Sequence, residues 1–156
     1  MATKITASDL RVTVTEVIKL NGKDQGSTNV LSIPSIATVS KRIIDVPASE
    51  VEIIAMSTAV SSGTFIESDV MYIRITNLDD TNHVTLTFKN ENDDEFAVKL
   101  EKGQTFIYNG VMSGGVVDTM DGIDGTGLTL GLGDLVNVTA IADTAAVDLE
   151  VFVASK

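Results

Sequence analysis

The sequence predicts an all-β protein, an antiparallel β-sandwich of jelly-roll type with about nine strands and one long Gly-rich loop. The first observation is a period of two, as in HVTLTFK, where Val84, Leu86 and Phe88 alternate with polar residues. This alternation is typical of strands with one buried face and one face in water. The second observation is that clusters of Asn, Asp and Gly, which favour turns, separate such segments.

The predicted strands, in chain order, are RVTVTEV, TVSKRIIDV, VEIIAM, MYIRIT, HVTLTFK, FAVKL, QTFIY, VNVTAI and DLEVFV. Besides HVTLTFK, the alternating apolar residues are clearest at Val12 and Val14, at Met71, Ile73 and Ile75, at Phe96, Val98 and Leu100, at Val136 and Val138, and at Leu149, Val151 and Val153. This number of short strands is typical of sandwiches and barrels.

The segment at residues 51–58 fits two structures. The residues that fit helical spacing are Val51, Ile54, Ala55 and Thr58, and the preceding PASE contains residues that can open a helix. Val51, Ile53 and Ala55 fit strand spacing equally well. Because the segment is rich in β-branched residues, we predict a strand.

The stretch FKNENDDEF, Phe88 to Phe96, places four acidic side chains between two predicted strands. A hairpin tip must be polar because its backbone is solvated, and this is the interpretation we favour. The alternative is a cation site. Calcium needs six or more converging oxygens, and this stretch has neither a glycine nor EF-hand spacing.

A second acidic stretch lies in the Gly-rich loop predicted for residues 109–134. Asp118, Asp121 and Asp124 are weak calcium candidates, because their spacing fails both the EF-hand and the β-roll templates. The glycines do not form a phosphate-binding loop either, which argues against nucleotide binding.

The same loop contains too many apolar residues to stay in water. We therefore expect part of it to be buried, either in its own domain or in a neighbour. Two interpretations remain open, a subunit-contact arm and a flexible excursion. The assembly-contact residues that the first one predicts are Ile123, Leu128, Leu130 and Leu132.

Composition restricts the possible functions. The length of 156 residues predicts one domain over residues 1–156. A net charge of −11 without a basic patch argues against nucleic acid as a partner. No stretch resembles a signal peptide or a membrane span, so we expect a soluble protein without a membrane partner. The absence of cysteine excludes disulfides and thiolate chemistry.

Catalytic candidates are few. His83 is the single histidine, on the polar phase of its predicted strand, and no G-x-S-x-G elbow is present. The simpler interpretation of His83 is an exposed strand residue. We predict a protein that is not an enzyme and that binds no cofactor.

The central stretch DVMYIRITNLDDTNHVTLTF, followed by FAVKLEKGQTFIY, resembles a pattern in small virion structural proteins of tailed bacteriophages, notably marine and cyanobacterial phages. In that pattern an I-x-N-x-D-D-x-N turn leads to a valine-rich strand, a further strand, an L-x-x-G-x-x-F corner and a long loop. The matching residues are Tyr72, Ile73, Ile75, Asn77, Leu78, Asp79, Asp80, Asn82, Val84, Leu100, Gly103 and Phe106. The resemblance covers the chain from Phe65 to Tyr108.

This resemblance implies a β-sandwich that assembles on a phage particle, and it implies no catalytic residue. We expect a virion component whose partners are other virion proteins and further copies of itself. A capsid decoration or cement protein fits the small size and negative charge best. The alternatives are a connector, tail or fibre-associated protein, or a cation-dependent module that binds a host surface.

Overall fold

The computed structural model describes residues 4–112, 114–117 and 132–156. These residues form an all-β structure of antiparallel sheets packed as a sandwich, which confirms the predicted fold class. The strands are β1 (Ser8–Thr15), β2 (Lys19–Leu20), β3 (Lys23–Asp24), β4 (Thr28–Ile36), β5 (Thr38–Val46), β6 (Val51–Ser57), β7 (Phe65–Ile66), β8 (Val70–Asn77), β9 (Val84–Asn90), β10 (Glu95–Leu100), β11 (Thr105–Asn109), β12 (Leu135–Ala142) and β13 (Val147–Ser155).

The described residues contain thirteen strands, so the predicted number was wrong. Three of the additional strands, β2, β3 and β7, have two residues each and are too short to show a period. The fourth, β4, contains Pro34, which argues against a regular strand. The register with β1 shifts here, because Leu10 pairs with Ile33 but Ser8 pairs with Ile36. This bulge leaves Pro34 outside the ladder, and Ser35 has a φ of 64°.

The described chain divides into two compact units, one up to Thr38 together with Lys156, and one from Val39 to Ser155. The division follows contact density, and the prediction of a single domain over residues 1–156 stays a prediction. In the first unit β1 pairs with β4, and β2 pairs with β3, both antiparallel.

The second unit contains two sheets with strand orders β10-β9-β12-β6-β7 and β11-β8-β13-β5. Four of the neighbouring pairs are nested about the β9–β10 turn: β9 with β10, β8 with β11, β6 with β12, and β5 with β13. One long hairpin folded over itself gives this order, which is the jelly-roll topology. β7 adds a parallel edge strand beside β6.

The core of the second unit lies between the two sheets. Alternate residues of β9 are buried throughout, as the period of two predicts. β8 and β13 alternate in part, since the neighbours Tyr72 and Ile73 of β8, and Val153 and Ala154 of β13, are buried together. Phe88 of β9 stacks on Phe96 of β10 with ring centroids 4.9 Å apart. Phe106 of β11 belongs to the opposite sheet, and its ring centroid is also 4.9 Å from that of Phe88. The three aromatic rings therefore form one packing contact between the two sheets.

The segment that fitted either helix or strand is β6, which confirms the predicted strand. Its register with β12 skips Ile53, so that Ile54 and Glu52 pair with consecutive residues of β12. Ile53 and Ile54 are both buried at this bulge. The Arg42 guanidinium donates a hydrogen bond to the Ile53 carbonyl, so this carbonyl is paired. Because the bulge buries two consecutive residues, the apolar positions of the segment depart from strict alternation, which explains why they also fit helical spacing.

The outer face of the four-stranded sheet carries an ion-pair network. Arg74 of β8 bonds the Glu150 carboxylate of β13, and the Lys41 Nζ lies 3.1 Å from the other oxygen of that carboxylate. Arg74 also donates to the Thr76 hydroxyl at 2.8 Å. Its guanidinium lies 5.6 Å from the ring centroid of Phe152. The hydrogen bond from Arg74, followed by that from Lys41, lowers the pKa of Glu150 below its ordinary value.

A carboxyl with a lowered folded pKa stabilises the fold above its unfolded pKa, and this contribution disappears as pH falls through the folded pKa. We therefore predict that Glu150→Gln lowers the free energy of unfolding at neutral pH. The difference from wild type should shrink below about pH 4. Urea unfolding across this pH range measures the effect. Asp148→Asn, an exposed position on the same strand, is the control, and an equal pH dependence there would contradict the prediction.

Candidate functional site

The acidic stretch is the turn of the β9–β10 hairpin, and the side chain of Asn90 organises it. The Asn90 Oδ1 accepts hydrogen bonds from the backbone N–H groups of Asn92 and Asp94, both at 2.9 Å. Asp93 has a φ of 66° and its Oδ1 lies 2.9 Å from the Lys89 Nζ. Apart from Asp94 the acidic residues of this turn are exposed. The interpretation as a solvated hairpin tip is confirmed.

The same asparagine ties the tip to the two ends of the Gly-rich loop. Its Nδ2 donates to the Val117 carbonyl at 2.8 Å. Val117 and Gly133 form a bridge, with N–H to carbonyl distances of 2.8 and 3.1 Å. A Cβ on Gly133 would lie 2.8 Å from the Asn90 Nδ2, so only glycine fits here. The tip and the base of the loop therefore form one hydrogen-bonded junction.

The ends of the Gly-rich loop are partly buried in the chain's own core. Met112 is fully buried and Val117 is 4% exposed. Leu132, one of the predicted contact residues, is 50% exposed. Since part of the loop packs in its own unit, the expectation of a buried part is confirmed.

The other predicted residues of this loop, Ile123, Leu128, Leu130, Asp118, Asp121 and Asp124, lie outside the described residues. Both the calcium site and the contact arm stay predictions.

Carboxylates gather at the base of the loop. Burial raises the pKa of Glu67, and the negative charges of Asp134 and Glu91 add to this shift. The Asp134 Oδ1 accepts a hydrogen bond from the Gly115 N–H at 2.8 Å. In the part of the chain that the structure describes, no group of three or more acidic or histidine side chains is placed to hold a metal ion.

The outer face of the five-stranded sheet has an acidic depression of about 410 Å³. Its lining residues are Glu50, Val51, Glu52, Thr87, Lys89, Glu95, Asn137 and Thr139. Two of the carboxylates accept hydrogen bonds from the sheet: the Thr139 hydroxyl donates to Glu50 at 2.6 Å, and the Asn137 amide donates to Glu52 at 3.1 Å. Ile141, farther along β12, is 37% exposed. The depression is therefore acidic, preformed and bordered by an exposed apolar side chain.

A second surface lies on the first unit, where residues 8–36 form one long hairpin. The β1–β4 ladder continues into β2–β3 through hydrogen bonds from the Glu16 N–H to the Ser27 carbonyl and from the Gln25 N–H to the Ile18 carbonyl. At the tip, Asn21 and Gly22 have φ values of 50° and 76°. Two positive φ angles are typical of the type I′ turn that Asn-Gly favours.

Apolar side chains recur along one face of this hairpin, interrupted in the middle by Glu16, whose carboxylate accepts a hydrogen bond from the Ser27 hydroxyl at 2.7 Å. The pairs Leu10–Ile33, Val12–Leu31 and Leu20–Lys23 place their side chains on this face, and Ile18 shares the same phase. We call the distal part the ribbon face; it comprises Val14 (42% exposed), Ile18 (48%), Leu20 (56%) and Leu31 (38%). Neighbouring apolar side chains with this much exposure indicate a contact surface.

His83 lies in the turn before β9 and not within a strand, and it is half-buried where we expected exposure. Its Nδ1 is 3.6 Å from the Asp143 Oδ2. The Asp143 N–H donates to the His83 carbonyl at 3.2 Å, and this hydrogen bond joins the turn before β9 to the turn after β12.

Sequence reasoning missed both the ribbon face and the acidic depression. The Asn-Gly dipeptide at positions 21 and 22, flanked by KL and KD, is a hairpin signal that could have located the ribbon. Glu50 and Glu52 are spaced for one face of a strand, but β12 and β10 complete the depression from distant sequence.

No protein-family model and no curated protein matches this sequence. Among solved structures, the chain is similar to one described as "Bacillus endospore appendages form a novel family of disulfide-linked pili", with a TM-score of 0.42 and 11% identity. The match covers 99% of this chain and 91% of that one. A likeness this distant does not bear on function. Among the described residues no helix is long and apolar enough to cross a bilayer.

We predict that Asn90→Ala lowers the free energy of unfolding by about 2–4 kcal/mol, because each buried group left unpaired costs about 1–3 kcal/mol. Equilibrium denaturation in urea measures the loss. Asp93→Asn, an exposed change in the same turn, should stay within about 0.5 kcal/mol. Equal losses in the two variants would show that the junction is held by something other than the Asn90 amide.

Proposed function

We propose that the protein is a non-enzymatic structural component of a phage particle, most simply a capsid decoration or cement protein. The observation that carries the proposal is the ribbon face, because apolar side chains exposed along a hairpin suit a protein that works by contact with other proteins. The partners would be other virion proteins and further copies of the chain. The protein would reside in the virion, without nucleic-acid or membrane partners and without a cofactor.

The jelly-roll topology supports this proposal, since capsid proteins are among those that use it. The resemblance of residues 65–108 to small virion proteins points the same way. The preference for a decoration protein comes from the small size and the net charge of −11, which suit a part repeated on an outer surface.

The position can be tested on a purified particle whose heads and tails are separated before mass spectrometry. A decoration protein should appear with the heads in high copy number. Recovery in the tail fraction would favour the connector, tail or fibre alternative. Absence from both fractions would contradict the virion proposal. Loss of host binding on calcium chelation would favour the cation-dependent module.

A role without catalysis predicts that His83→Ala retains assembly on the particle. The variant loses only a contact with Asp143 at the sheet end, so a small stability change is expected. Particle binding and circular dichroism are the measurements. Turnover of an ester, glycan or phosphate substrate by the wild type that disappears in this variant would contradict the non-enzymatic role.

A further inference from the structure

We propose that the ribbon face of one copy docks on the acidic outer face of the five-stranded sheet of a second copy, with Lys23 at the acidic depression. This proposal uses the same ribbon face as the proposed function, but its test measures self-association of the isolated protein, so it can succeed or fail whatever the particle fractions contain.

The first step concerns the exposed apolar side chains of the ribbon face, which are stabilised when another surface buries them. A two-stranded hairpin is marginally stable in water without a further layer. In the distal half of this hairpin, Val14, Ile18 and Leu20 are each at least 42% exposed. The opposite face at the same level carries polar Thr13 and Thr15. Val17 and Val30 are also exposed on that opposite face, separated by the Thr15–Thr28 pair, so the ribbon face carries the larger set of exposed apolar side chains, four against two.

The second step is that charge selects the partner. Residues 1–38 contain four basic and three acidic side chains, a net charge of +1, so residues 39–156 carry −12 of the total of −11. Two jelly rolls would repel each other if they met face to face. The hairpin is the part of a second copy that can approach the acidic sheet without this penalty.

The third step is local complementarity. Lys23 pairs with Leu20, so its charge lies on the ribbon face beside the apolar side chains. On the sheet, Glu50, Glu52 and Glu95 line the depression together with Lys89, which leaves the lining with a net charge of −2. Exposed Ile141 lies on the same outer face and offers apolar area beside these carboxylates. Lys23 is thus complementary in charge to the carboxylates of the depression, and the apolar side chains beside Lys23 can contact Ile141.

Sedimentation equilibrium of the full chain tests the apolar part of the contact. Wild type should self-associate, and Leu20→Asp should weaken association about tenfold or more, since it places a carboxylate in the apolar contact beside an acidic surface. Val17→Asp is the matched control: Val17 is 87% exposed on the opposite face of the same hairpin. A monomeric wild type, or equal loss in both variants, overturns the proposal.

A charge swap tests the partner surface. Lys23→Glu and Glu52→Lys should each weaken self-association, because each places like charges across the contact. An equimolar mixture of the two should associate again, because both contacts between unlike copies pair opposite charges: the substituted hairpin meets the substituted sheet, and Lys23 meets Glu52. Lys19→Glu, on the opposite face of the hairpin, should leave association unchanged. Circular dichroism confirms folding of each variant. If the mixture fails to associate while both variants fold, the acidic depression is not the receptor and the proposal is wrong.

Discussion

The structure of the second unit depends on the register of the β9–β10 hairpin. Three further pairs, β8–β11, β6–β12 and β5–β13, are nested about this turn, so the folded-over hairpin has its innermost pairing set at residues 90–94. A slip of one residue would turn Val84, Leu86 and Phe88 toward water. The Asn90 side chain fixes this register, because it accepts two N–H groups of the turn and donates to the loop beyond.

Asn77 performs the same task at the end of β8. Its Oδ1 accepts the Asp79 N–H at 2.9 Å, and its Nδ2 donates to the carbonyls of Asn82 and Leu100. The two asparagines are the buried polar side chains among the described residues. Both close a turn while joining it to another segment, which removes backbone groups that would otherwise be buried without partners. The turn residues Asn77, Asp79 and Asn82 thus have a structural explanation within the fold.

Much of the fold follows from the sequence, because alternation is a local property. The predicted apolar residues of β9 and β13 are buried, as are Ile73 and Ile75 of β8, whereas Met71 is only partly buried. The strand predictions fail where a bulge interrupts the alternation of apolar and polar residues. The bulge at Ile53 buries two consecutive residues, and the bulge at Pro34 conceals β4. The acidic depression could not be predicted, since it needs the lateral order of β10, β9, β12 and β6, which arises only from the folded-over hairpin.

The ribbon face and the acidic sheet face are different surfaces, so a contact between them would be heterologous. Each copy would then contribute its ribbon face to one contact and its acidic sheet face to another. In a dimer with one such contact, one ribbon face and one acidic sheet face stay uncovered. Further copies would add through the same contact. If the rotation between neighbouring copies brings the last copy back to the first, the assembly closes as a ring, and otherwise it grows as a filament. A ring covers every ribbon face, whereas an open chain leaves one exposed at its end. The proposed role on a closed shell would require the ring, because a free ribbon face would recruit further copies without limit.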